Sequence, residues 1–445
     1  MKKLILSLTT VILSLATWGQ QAGDKFVIKT TEAVKKTEWS LAGGDAFSDI
    51  SIIKHNGDKL ELFAKGYENM GAWATYDLNQ IESITFTVFH KGDYQEESAA
   101  QAVKNMGLGT CFGNCLDAVD INKTMEKNSV TDFEKCWGQE PTTKSMVDFL
   151  KKNGFNSVRI AVTWFQHMKE DGTVDEAWMN RVQEVVDYVI DNGMYCILNV
   201  HHDTGADPDD KSYTHWIKAD LDNYNANKTK FEYLWTQIAN RFKNYDQHLV
   251  FEGYNEMLDA NNTWNAPKNA NSYKGLNGYA QSFVNAVRAT GGNNETRNLI
   301  VNTYAAACGD EVLNNLTIPT DKVSGHIAVE VHTYAPWDWF AKGAWDTSCS
   351  NEIKNMFTRL NNKFICKGIP CIIGEYGTHG SQQVSKKSTT SQIKAAADQA
   401  ADIVKQAKAY GVATFYWMSI FEGTDRTVPQ WTLPTVVEAM KNAYK

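Results

Sequence analysis

The chain has no excess of basic residues: 445 residues carry 44 Lys and Arg against 52 Asp and Glu, a formal charge of −8. That excludes a nucleic-acid backbone as the expected partner, because no cationic surplus exists to release its counterions. An uncharged substrate is compatible with it. The apolar stretch Leu4 to Ala16 is too short to span a bilayer of ~30 Å and no other run is long enough, so no membrane partner is expected either. It lacks a glycine-rich phosphate loop, since Gly107-Leu108-Gly109-Thr110 matches the dinucleotide fingerprint poorly. It also lacks a paired metal knuckle: Cys111 and Cys115 have no second pair of that type. No metal and no cofactor is expected.

What is present begins with Met1-Lys2-Lys3 and the apolar stretch Leu4 to Ala16, the pattern of a secretory signal. Thr17 and Gly19 are small residues placed before a cut, so residues 1–19 read as the signal and Gln20 as the mature start. No cysteine lies at the cut, and no lipid anchor is expected. Export suits the eight cysteines, because disulfides persist outside the cytosol. Cys366 and Cys371 are close in sequence, and Cys308 and Cys349 both follow expected strands, but spacing does not give the pairing. Cys196 lies inside an apolar run and reads as a buried thiol.

Hydrophobic residues make up 43% of the chain, enough for a large soluble core, and the length suits a barrel with a small accessory module. Residues 20–97 are β-rich. Lys25 to Thr30, Ile50 to Lys54, Lys59 to Phe63 and Ile84 to Val88 have strand character, and Asn56-Gly57-Asp58 is a hairpin signal. Trp39, Trp73 and Tyr76 could serve carbohydrate binding there, although scattered aromatics in a small β module are usually core. His90 to Gln101 is polar and marks the boundary.

Over residues 98–445 strands and helices alternate. The expected strands are Met106–Thr110, Ser157–Val162, Tyr195–Val200, Leu249–Tyr254, Leu299–Thr303, Ile327–His332, Pro370–Gly374 and Thr414–Met418. Helical patterns fall between them, and Pro434–Tyr444 closes the chain with proline in its first turn. Eight strands with intervening helices over this length predict an α/β fold, a (β/α)8 TIM barrel.

Such a barrel delivers all its strand ends to one rim, and the residues of chemical interest fall there. Arg159 lies in the second strand; Asn199, His201 and His202 end the third; Asn255 and Glu256 end the fourth. His332 and Tyr334 end the sixth, Glu375 ends the seventh, and Trp417 lies in the eighth. Two facing carboxylates are the minimal machinery for cutting a glycosidic bond. Glu252 stands below Glu256 on the same strand, roughly 13 Å away by strand rise, and reads as an interior polar residue suited to pair with Arg159. His201 and His202 are adjacent, so in a regular strand they face opposite ways, with His201 toward the cleft and His202 behind the barrel. Trp137, Trp164, Trp337 and Trp339 read as cleft wall.

The chain here resembles glycoside hydrolase family 5, the cellulase-like members of a clan of retaining barrels, over roughly residues 102 to 440. The runs that carry the resemblance are Gly113-Asn114-Cys115-Leu116-Asp117-Ala118, Trp137-Gly138 with Pro141-Thr142-Thr143, and Gly154-Phe155-Asn156-Ser157-Val158-Arg159-Ile160. Ile197-Leu198-Asn199-Val200-His201-His202, Phe251 to Glu256, His332-Thr333-Tyr334 and Ile373-Gly374-Glu375-Tyr376-Gly377 complete them. The resemblance implies that Glu256 is the acid/base and Glu375 the nucleophile. It implies supporting roles for Arg159, His201, His202, Asn255, His332, Tyr334 and Trp417, with Asn114 in the first run. Thr110-Cys111 stands where a Trp-Asn is common, and Met257 where a proline is frequent; neither removes a catalytic group.

Chemically, Arg159 and the Tyr334 hydroxyl are expected to favour the charged form of Glu375, whose charge in turn raises the pKa of Glu256. Asn255 can hydrogen-bond a sugar hydroxyl beside the reacting carbon, and Trp417 can carry the ring. With the signal, which implies secretion, the resemblance implies a monomeric, retaining endo-β-1,4-glucanase acting on a β-glucan polysaccharide or oligosaccharide. Xyloglucanase and endo-β-mannanase are close rivals. A non-catalytic glycan-binding barrel and a metal-dependent hydrolase are rivals from other classes.

Overall fold

The protein is described by a computed structural model covering residues 29–30, 50–64, 68–72, 74–77, 81–83, 94–120, 125–206, 215–378 and 383–445. The expected signal 1–19, the strand Ile84–Val88, Trp39 and Trp73 lie outside these residues, as does the run Asp207-Pro208-Asp209-Asp210-Lys211, which reads from sequence as a solvated loop. The chain divides into two compact units, Met1–Asp93 and Tyr94–Lys445.

In the first unit β1 (Lys29–Thr30) pairs antiparallel with β5 (Ile81–Ser83), while β2 (Ile50–Asn56), β3 (Lys59–Ala64) and β4 (Ala74–Asp77) form a three-stranded antiparallel sheet. The β2–β3 hairpin turns at Gly57 and Asp58, as the sequence predicts. Gly57 has φ 62°, a left-handed conformation that costs glycine little.

The second unit is a (β/α)8 barrel. Its strands are β6 (Leu108–Phe112), β7 (Ser157–Ile160), β8 (Tyr195–Asn199), β9 (Leu249–Glu252), β10 (Leu299–Asn302), β11 (Ile327–Thr333), β12 (Cys371–Tyr376) and β13 (Ala413–Tyr416). Each pairs in parallel with the next, and β13 closes on β6. All eight match expected strands. The first begins two residues later than expected because a helix, α1 (Ala99–Met106), occupies the segment before it. The Ser98 hydroxyl caps α1 by accepting from the Gln101 amide, and Gly107 (φ 62°) reverses the chain into β6. The polar look of His90–Gln101 concealed this helix, whose apolar residues come at helical spacing.

Ala99, Ala102, Val103 and Met106 of α1 pack with Ile197, Val250, Ile300, Ile372 and Phe415. The helix thus plugs the amino-terminal end of the barrel, where burial of each large side chain contributes roughly 1.5–3 kcal/mol. Above this plug the interior changes character. Arg159 of β7, Glu252 of β9 and Glu330 of β11 are wholly buried, so alternate strands supply a charged layer where branched aliphatics usually sit.

One irregularity aims the site. Across β11 and β12, Val331 stands opposite Ile373 but His332 stands opposite Glu375, so Gly374 is an extra residue in the ladder. This bulge brings Glu375 to the position, opposite His332, that Gly374 would otherwise hold.

Candidate active site

Arg159 organises the carboxyl-terminal rim. Its Nε and Nη2 bond both oxygens of Glu252 at 2.7 Å each, as the sequence reading proposed. Nη1 donates to Glu375 Oε1 at 2.9 Å and Nη2 to Asn255 Oδ1 at 2.7 Å. Nε also lies 3.2 Å from Glu330 Oε1. A buried guanidinium is tolerable only when paired this fully.

Glu375 accepts at its other oxygen from the Tyr334 hydroxyl at 2.6 Å. Burial pushes its pKa above the ordinary value and outweighs the opposing pull of His332, Arg159 and Tyr334, while Glu256 adds to the rise. Arg159 and Tyr334 thus favour the charged form, as expected, while desolvation opposes them in so dry a setting. Burial likewise lifts Glu252, to about 7, against the pull of Arg159.

His332 Nδ1 is 2.8 Å from Glu256 Oε1 and 3.6 Å from Glu375 Oε2, and Nε2 is 3.2 Å from Glu330 Oε1. Burial alone would lower its pKa, but Glu375, Glu256 and Glu330 raise it to about 10. One carboxylate oxygen each from Glu256 and Glu375, and a ring nitrogen of His332, lie within 4.8 Å of one another. These atoms are already engaged within the site: His332 bonds to Glu256 and Glu330, and Glu375 to Arg159 and Tyr334.

His201 sits beside them. Its Nδ1 lies 3.0 Å from Asn199 Nδ2, and its Nε2 lies 3.4 Å from Asn255 Nδ2 and 3.8 Å from Glu375 Oε1. Burial keeps His201 neutral, with pKa well below normal, and the nearby His202 and Arg159 act in the same direction. Its ring stacks on Trp417 at 5.6 Å between centroids, 5° from parallel. Gly113 makes room for that indole: a Cβ there would lie 2.5 Å from Trp417 Cη2.

His202 does not pass behind the barrel. It follows the end of β8, where alternation no longer applies, and turns to Asp117, with Nε2 3.4 Å from Oδ2. Trp137 packs edge-on against His202 at 5.0 Å, its indole fixed by a bond to the Val119 carbonyl. Donor atoms of Asp117, His201 and His202 converge within 4.8 Å, a proximity that adjacent histidines alone did not foretell. The Cys115 amide and Asn199 already engage Asp117 Oδ1 and His201 Nδ1. Asn114, half-buried just after β6, has φ 58°.

Two aromatics are corrected. Trp164 is wholly buried, its indole donating to the Asn199 carbonyl at 3.0 Å, and Trp339 is buried as well. Both are core, because their polar ends or edges found partners inside. Trp337 is 59% exposed and lies beside Tyr334, as a cleft wall requires. Trp264, 53% exposed on the loop after β9, escaped notice because no neighbouring motif marks it. Glu330 escaped too, although a glutamate two residues before His332 shares its side of the strand. All eight cysteines are free, contrary to the expected disulfides. Cys111, Cys115, Cys196, Cys349 and Cys371 are buried, where a thiol behaves as a small apolar group.

Two glutamates converging at the carboxyl-terminal rim of a (β/α)8 barrel, over a paired arginine and a shared histidine, define a barrel glycoside hydrolase. The chain belongs to the cellulase family, glycosyl hydrolase family 5, whose model matches residues 120–423. It is similar to Endoglucanase 1 of Ruminococcus albus, 32% identical over 384 residues, covering 82% of this chain and 86% of that protein. It is also similar to Cellulase/esterase CelE of Acetivibrio thermocellus, 34% identical over 362 residues; that match covers 77% of this chain but only 40% of CelE. Among solved structures, PbGH5A of Prevotella bryantii in complex with a xyloglucan tetradecasaccharide is 57% identical with a TM-score of 0.75. The match covers 79% of this chain and 100% of that one.

Proposed function

We propose that the protein is a secreted, monomeric, retaining endo-β-1,4-glucanase. The observation that carries the reading is the approach of Glu256 and Glu375, whose nearest oxygens lie within 4.8 Å. Retaining enzymes hold their carboxyl groups about 5–5.5 Å apart, whereas inverting ones leave room for a water. In the first step a Glu375 oxygen bonds to the anomeric carbon as the glycosidic C–O bond breaks, and Glu256 protonates the departing oxygen. In the second, Glu256 takes a proton from water, the water oxygen bonds to the anomeric carbon, and the ester to Glu375 breaks. Arg159 and Tyr334 orient the nucleophile, Asn255 and His201 face the sugar, and Trp417 offers a flat apolar face to the ring. Asn114, Trp137, His202 and Trp337 are assigned to the cleft wall. The basic start and apolar run of residues 1–19 support export.

Xyloglucan is the second substrate reading, favoured by the bound oligosaccharide of the Prevotella bryantii relative. A panel of cellulose-like glucan, mixed-linkage glucan, xyloglucan, mannan and xylan, with product sizing, separates these. The mechanism is tested by following product anomers by NMR early in hydrolysis. The β anomer is expected first; initial α product overturns the assignment.

A further inference from the structure

The charged layer holds one carboxylate more than the two-step reaction uses. Glu256 and Glu375 are assigned to the chemistry, and Glu252 is bonded through both oxygens to Arg159. Glu330 remains, wholly buried on β11. Burying a carboxylate costs several kcal/mol unless it is paired, so its presence calls for a task.

Its surroundings are built to hold it. A Cβ at Gly374 would lie 1.8 Å from Glu330 Oε1, so the bulge glycine vacates the space the carboxylate fills. That same oxygen meets Arg159 Nε at 3.2 Å and His332 Nε2 at 3.2 Å. Oε2 has no hydrogen-bond partner among the described residues. Arg159 is already satisfied by Glu252, Asn255 and Glu375, so the distinctive contact of Glu330 is with the far nitrogen of His332.

His332 therefore faces carboxylates through both nitrogens. A neutral imidazole carries one N–H and can donate to one side only, whereas an imidazolium donates to both. We propose that Glu330 is a positioning residue that keeps His332 doubly protonated by accepting from Nε2, so that Nδ1–H donates to Glu256 while the ring's positive charge faces Glu375 throughout the reaction. The proposal rests on the retaining reading above. In that reaction negative charge leaves Glu375 as the ester forms and appears on Glu256 as its proton departs. A fixed cation between them stabilises the charge in either place, with no rearrangement.

Other groups share this field. Arg159 of β7, His201 beyond β8, Glu252 and Glu256 on and after β9, Glu375 of β12 and Tyr334 after β11 all interact with one another or with His332. Cys111 of β6 lies beneath Arg159, its thiol held neutral by burial. The upward shift of His332 agrees with the geometry, since its three carboxylates outweigh its burial.

The test uses the full chain and Glu330→Gln, which keeps shape and removes charge, with ¹⁵N-histidine NMR and kcat against pH on an aryl cellooligosaccharide. In the wild type both His332 nitrogens are expected to stay protonated above neutral pH. In the variant the second proton is expected to leave at least about one pH unit lower, the scale on which a close charge moves a pKa. The alkaline limb of kcat should follow by the same amount. At neutral pH kcat should fall roughly 10–100-fold, the scale of one hydrogen bond to a charged group, with little change in KM. Glu330→Asp keeps the charge and should keep the wild-type limb; it serves also if the Gln variant does not fold. A neutral His332 in the wild type at neutral pH overturns the proposal, as does a shifted limb with an unchanged His332 titration. The NMR arm reads His332 directly, so a failure of the retaining reading, seen in the product anomers, is distinguishable from a failure of this one.

Discussion

Glu256 and Glu375 are both glutamates at strand ends, yet their settings differ. Glu375 is enclosed by Arg159, Tyr334 and His332, whereas Glu256 meets His332 and keeps 20% of its side chain exposed. The enclosed residue suits a nucleophile that must not move, and the open one suits a group that serves first a leaving oxygen and then water. Removing the acid/base should cost ~10²–10⁴-fold in rate on natural glucan, and far less on an activated aryl glycoside, which needs little protonation. Glu256→Ala should accordingly form the glycosyl-enzyme from that substrate and stall; azide should restore turnover and give the β-glycosyl azide. Glu375→Ala should lose both substrates, and azide there can enter only from the vacated face to give the α product. Opposite azide anomers from the two variants would mean that the roles are exchanged. Most of these residues were legible because each ends an apolar run within a motif. Trp164 and Trp339 were misread because a tryptophan near a strand end serves equally as cleft wall or as core. Glu330 stood unnoticed inside the run Ile327–Thr333, although its parity with His332 was there to be read.

At the scale of the element, the β12 bulge does what regular strand geometry cannot. Without it the inward position opposite His332 would belong to Gly374, and Glu375 would point into the packing behind the barrel. Glycine is required at that bulge because of its neighbour, not its dihedrals: a Cβ there would meet Glu330 at 1.8 Å. Gly374→Ala should force Glu330 off Arg159 and His332. Overpacking of this kind typically costs about 1–3 kcal/mol, and the displaced buried charge adds to it. A clear drop in Tm with kcat reduced more than ~100-fold is expected, since Glu375 is the next residue. Wild-type Tm and kcat in this variant would show that the site does not depend on the bulge. Helix α1 carries the other lesson of this scale. Its apolar residues stand at helical spacing in the sequence, but a short helix beside a charged segment reads as linker until the barrel end it plugs is known.

On the whole-molecule scale, the catalytic unit begins at Tyr94. The boundary at residue 98 expected from sequence would leave Ser98 as the first residue. A start at Ala99 would remove the α1 cap, at a cost typically of ~1 kcal/mol. A protein comprising Tyr94–Lys445 should therefore fold, keep its activity on soluble glucan and melt near the full-length Tm. Loss of folding would show that the barrel depends on residues before Tyr94, and loss of activity on insoluble glucan alone would assign those residues a binding role. The free thiols bear on the same scale: a barrel with a plugged end and packed helices has core enough without cross-links.

The sequence by itself determined the barrel. Eight apolar runs with helices between them admit few other folds, because parallel strands need crossovers and both sheet faces need cover. It also determined which strand ends bear chemistry, since polar residues closing buried runs have few reasons to be there. Only the tertiary structure decided how those residues meet. The bulge that sets Glu375 opposite His332, the Asp117 that turns His202 forward, and the approach of Glu256 and Glu375 to one histidine all join positions tens of residues apart. Strand parity and local pattern act over a few residues, whereas a histidine shared by several carboxylates is a property of three strands brought to one rim.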